Sequence, residues 1–100
     1  MNDNVGVPTG IDTVRAYLGV QFPFFEITAQ FEARTGTQVF TIENKATAEN
    51  YVVKCTTDFL VQTTSSGLIQ QLEQWNVAHS TRRSKRILVT TDGIEDLDKS

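Results

Sequence analysis

The most regular stretch of the chain runs from Phe25 to Arg34, where Phe25, Ile27, Ala29, Phe31 and Ala33 alternate with Glu26, Thr28, Gln30, Glu32 and Arg34. A period of two over this span predicts an antiparallel strand with one face buried and the other wet. Thr35-Gly36-Thr37 then supplies a turn, because Gly36 can take the positive φ of a tight hairpin. Gln38 to Glu43 returns as the partner strand, carrying Phe40 and Ile42. The polar stretch Glu43 to Asn50 has no apolar period and reads as a loop. Beyond it Tyr51, Val53, Cys55, Thr57, Phe59 and Val61 keep one parity, and Thr56-Thr57-Asp58 contains neither Gly nor Asn. One long, bent or bulged strand from Tyr51 to Thr63 is therefore expected in preference to two strands and a hairpin.

Helical periods flank these strands. Thr9 and Asp12 have capping-box spacing, Ile11, Val14 and Leu18 share a stripe, and Gly19 offers a stop, which together predict a short N-terminal helix. Ser65 or Ser66 can cap a second helix that places Leu68, Ile69, Leu72, Trp75 and His79 on one face, with Trp75 as a core plug. Of Phe22 and Phe24, on either side of Pro23, one is expected to be exposed or tucked under the first helix. Ile87 to Thr90 reads as an apolar strand added at a sheet edge. In the acidic end Asp92 to Ser100, Ile94 and Leu97 would share one side of a helical turn. The expected fold is α+β: an antiparallel sheet of three to four strands, one main helix packed on one face, and a short N-terminal helix.

At 100 residues with 39% apolar and 21% charged content, the chain has the size and composition of one domain. Met1 to Pro8 is expected to be a flexible arm and residues 92–100 an acidic tail. A single Cys excludes an intrachain disulfide framework. No apolar run approaches the roughly 20 residues of a membrane span, and Met1-Asn2-Asp3-Asn4 does not resemble a secretory signal, so a soluble cytoplasmic protein without a membrane partner is expected.

Candidate chemistry is sparse. A nucleophile needs a base within hydrogen-bond reach, and the lone Cys55 and lone His79 fall in different predicted elements. On the inward row Cys55 is a small buried hydrophobe with little thiolate, and His79 near a helix C-terminus suits carbonyl capping. A structural zinc site takes about four Cys or His ligands, and the chain holds two such residues, so no metal or cofactor is expected. Glu26 and Glu32 stand about 20 Å apart along a strand, too far for a glycosidase pair. Neither Gly19 nor Gly36 belongs to a phosphate-wrapping run. The expectation is that the protein is not an enzyme.

Charge is unevenly placed. Arg82, Arg83, Lys85 and Arg86 put four of the nine bases into five positions, which leaves five bases against twelve acids elsewhere, a balance of −7. This run reads as a solvated helix-to-strand corner, as a phosphate-binding corner for RNA or DNA, or as a contact for an acidic protein surface such as the tail of a neighbouring copy, with Ile94 and Leu97 as tail contacts. The wet row Glu26, Thr28, Gln30 and Glu32 suits pairing with another chain. The sequence thus points to a small non-catalytic protein-binding or assembly protein, of the sort found by analogy among viral and phage components, inhibitors and adaptors. It would act as a homo-oligomer or with a protein partner. The alternative is a nucleic-acid-binding protein that uses the basic corner.

Overall fold

A computed structural model of the chain describes residues 9–61 and 65–97. The predicted arm 1–8 and the last residues of the predicted tail lie outside the described residues. Within them the order is α1 (Thr9–Gln21), β1 (Glu26–Glu32), β2 (Thr37–Asn44), β3 (Glu49–Thr56), α2 (Thr57–Val61), α3 (Ser65–Gln74), α4 (Val77–Ser84), β4 (Arg86–Thr90) and β5 (Gly93–Asp96). The strands form one five-stranded sheet in the order β1-β2-β3-β4-β5. The pairs β1–β2, β2–β3 and β4–β5 are antiparallel, and β3–β4 is parallel. A parallel neighbour needs a long crossover, and α2, α3 and α4 occupy it.

The α+β class is as expected, whereas the count and direction of the strands are not. The sheet is mixed with five strands rather than antiparallel with three to four, and four helices replace one main and one short helix. The predicted long strand ends at Thr56, whose Oγ1 accepts the Phe59 N–H at 3.2 Å and so caps α2, with Asp58 in the first turn. Thr56-Thr57-Asp58 is a helix start, and the parity carried on through Phe59 and Val61 is coincidental. The predicted second helix breaks after Gln74, and Asn76 in the turn that follows takes a left-handed φ of 53°. α4 then carries His79, Arg82 and Arg83, so His79 lies in the first turn of a helix and not at a helix C-terminus. The acidic end forms a strand and not a helical turn, because Thr90 Oγ1 accepts the Asp92 N–H at 3.1 Å and donates to the Gly93 carbonyl at 3.2 Å, turning the chain back. Gly19 does not stop α1, which runs on to Gln21 ahead of Pro23. The first hairpin turns where expected, with Gly36 at φ 67°.

One core sits between the sheet and the helices. Phe40, Ile42, Val53, Cys55, Ile87 and Val89 share a strand face and are enclosed with Val14, Leu18, Phe59, Leu68, Leu72 and Val77. Tyr17 knits the helix layer: its Oη accepts the Ala78 N–H at 3.2 Å, an otherwise orphaned donor in the first turn of α4, and donates to the Leu72 carbonyl at 3.5 Å. Phe22 is buried while Phe24 is 85% exposed. Trp75 stacks on Phe59 at 6.0 Å between ring centroids. Gly10 lets α1 approach α2, since a Cβ there would collide with the Leu60 carbonyl oxygen.

Candidate functional site

Side chains alternate across a strand, and residues paired in register share a face. The core therefore takes one parity of every strand and leaves the other parity on the side away from the core. In one row across all five strands stand Gln30, Val39, Lys54, Leu88 and Glu95; in the next stand Thr28, Thr41, Val52 and Arg86. Glu26, Glu43 and Asn50 lie at one end, and Glu32 and Thr37 toward the other. Val39, Thr41, Val52, Lys54 and Leu88 are half-buried, whereas Thr28, Gln30, Arg86 and Glu95 are exposed. No described helix covers this face. Its middle is aliphatic, its surroundings are Thr and Gln, and its margin is mostly acidic.

One polar network is built into the face. Lys54 Nζ reaches across β2 to Glu32 Oε1 at 3.3 Å, and the Thr35 hydroxyl donates to the same oxygen at 2.8 Å. Thr35 and Thr37 share a further hydroxyl contact of 2.7 Å. The Thr35 hydrogen bond first, and the Lys54 ammonium second, hold the Glu32 carboxyl below the usual carboxylate range. A second ion pair, Lys45 Nζ to Glu26 Oε1 at 3.4 Å, closes the opposite end of β1. The Lys45–Glu26 pair is exposed and the Lys54–Glu32 pair half-buried; water reaches both, so they add little stability and fix charges in place.

The basic run is dispersed. The Arg82 guanidinium lies 4.5 Å from the centroid of the Phe22 ring and donates to the Gln21 carbonyl, fastening α4 to the end of α1. Arg83 lines a hollow with Ser80, Ser84, Ile87, Ile94 and Asp96. Lys85 caps α4 at φ 73°, its N–H bonded to the Thr81 carbonyl at 2.7 Å, and lines a different hollow with Glu49 and Tyr51. Arg86 stands on the uncovered face beside Val52. Each of the four cations has different neighbours, so they do not form a single cradle. Ile94 packs against the protein's own core, and the Leu97 N–H bonds to the Arg86 carbonyl at 2.9 Å.

Cys55 is buried on the core side of β3, and desolvation pushes its thiol up to about 12. His79 is exposed on α4. Among the described residues no group of three or more His, Cys, Asp or Glu is placed to hold a metal ion. None of the described helices is long and apolar enough to cross a membrane.

Sequence reasoning misses Val39, Val52, Lys54 and Leu88 as a group. A signal for it exists: Val52-Val53 and Ile87-Leu88-Val89 are continuous apolar runs where one-sided strands would alternate. Such runs belong to strands covered on both faces, as parallel pairs usually are. In comparisons with protein-family models, curated proteins and solved structures, nothing matches this chain.

Proposed function

We propose that the chain is a non-catalytic protein-binding module whose working surface is the uncovered face of its sheet. The observation that carries this is a mismatch: the parallel strands β3 and β4 set Val52 and Leu88 beside Val39 on the side that the helices do not cover, with Lys54 and Arg86 among them. A partner protein laid over Val39, Val52 and Leu88 would complete the second layer. The surrounding Thr, Gln and mixed charges give the polar rim that surrounds the apolar middle of a protein contact. A polynucleotide fits this face less well, because Glu26, Glu32, Glu43 and Glu95 outnumber Lys54 and Arg86 there, and Lys54 is already paired with Glu32.

The test is capture from a lysate of the source cells by immobilised wild type and two double variants, each first shown to melt as a folded domain. Val39→Glu with Leu88→Glu is expected to lose the bound protein. Arg82→Ala with Arg83→Ala is expected to keep it, and nuclease is expected to change nothing. Retention by the first variant, or loss of the bound species on nuclease treatment, would refute the assignment.

A further inference from the structure

The two edges of the sheet differ in kind. β5 is four residues long, carries Glu95 and Asp96, and is tied to α4 by the Ser84 hydroxyl donating to Asp96 at 2.9 Å. Short, charged edges discourage pairing with other chains. β1 is built differently: it is seven residues long, has no Pro, and keeps its charges, Glu26 and Glu32, at its two ends, so that its five inner positions, Ile27 to Phe31, carry none. Its only strand neighbour among the described residues is β2. Phe31 is 55% exposed and walls an apolar hollow lined also by Ile11, Thr57 and Leu60.

We propose that β1 pairs antiparallel with β1 of a second copy of this chain, about a two-fold axis through Ala29, joining two sheets into one of ten strands. The strand is chemically self-complementary about that residue. Thr28 falls opposite Gln30 of the second copy, and Ile27 opposite Phe31, which covers the exposed ring on the helix side. At each end Glu26 meets Glu32 of the second copy. Each of these carboxylates arrives with its own lysine, Lys45 at 3.4 Å and Lys54 at 3.3 Å, so the like charges meet as two neutralised pairs. An axis normal to the sheet keeps both helix layers on one side and doubles the uncovered face on the other. This inference does not rest on the function proposed above, since an edge can pair whether or not the face binds.

Light scattering after gel filtration, over about 10 μM to about 1 mM, tests it in the range expected of a small interface. The full chain of 11.2 kDa is expected to reach twice that mass. Thr28→Lys with Gln30→Lys, both exposed and outside the core, is expected to weaken the dimer at least about tenfold by setting lysine against lysine. Mixing that chain with a Thr28→Glu, Gln30→Glu chain is expected to restore a mixed dimer. Under oxidation, a Thr28→Cys chain mixed with a Gln30→Cys chain should cross-link, and neither should alone, because two copies of one position lie beyond about 7 Å. A monomer throughout, a dimer indifferent to the lysine pair, or cross-linking without mixing would overturn the proposal.

Discussion

The two faces of the sheet are built from the same strands and live in different surroundings. Toward the helices stand Phe40, Ile42, Val53, Cys55, Ile87 and Val89, all enclosed. Away from them stand Val39, Thr41, Val52, Lys54 and Leu88, half-open to water. Along β1 the contrast follows ordinary alternation, greasy against wet, and β2 departs from it at Gln38 on the core side and Val39 on the uncovered side. Along β3 and β4 it does not, since Val52 and Leu88 are as aliphatic as their buried neighbours. The covered face accounts for folding of the chain. The uncovered one gathers the half-buried aliphatic side chains Val39, Val52 and Leu88 among polar neighbours, and that cluster is the ground for assigning it to a partner.

Truncating neighbours on opposite faces separates these roles with the largest expected effect. Phe40→Ala should lower unfolding free energy by about 3–5 kcal/mol, because it opens a cavity in an enclosed core. Val39→Ala, next to it in β2, should cost about 1 kcal/mol or less. Urea melts of the two variants measure both. Equal losses would mean that the faces are not energetically distinct.

Titration gives a smaller contrast of opposite sign. Burial raises the Cys55 thiol to about 12, so the unfolded chain loses that proton first as pH rises. Its contribution is intact below about pH 8.5 and falls away above it by about 1.4 kcal/mol per pH unit. Cys55→Ala should flatten that part of the alkaline limb, leaving the share due to Tyr17, whose phenol burial also raises. On the uncovered face the sign reverses. Glu32 is held low by Thr35 and then Lys54, so its contribution is present above the unfolded carboxylate value of about 4.3 and lost as pH falls below it. Thr35→Val should make the acid limb slightly shallower, a small effect for a surface carboxylate that water still reaches. Denaturation midpoints between about pH 3 and about pH 10 read both limbs.

Strong periods and turn glycines were legible in the sequence: β1, its hairpin at Gly36, and the stripe of α1 through Val14 and Leu18. Where side chains cap the backbone the same signs misled. Thr56 and Thr90 act through their hydroxyls, one opening α2 and the other turning β4 into β5. Neither act disturbs hydrophobic parity, so period alone could not find them. Asn76 ends α3 through a left-handed backbone, a conformation that Asn tolerates without requiring. The candidate site was half visible. The basic run was conspicuous as a string of letters, yet a helix end, a strained cap and a strand start separate its four side chains in space. The aliphatic middle of the uncovered face, Val39, Val52 and Leu88, comes together from three strands through register, which no local window contains.

The most direct measurement is site-specific photocross-linking in the source cells, with a photoreactive side chain placed at Thr41 in the uncovered face or at Gln70 on the exposed side of α3. A working sheet face predicts a discrete protein adduct from position 41 and none from position 70. No adduct from position 41, the same adduct from both, or an adduct that nuclease removes would contradict it.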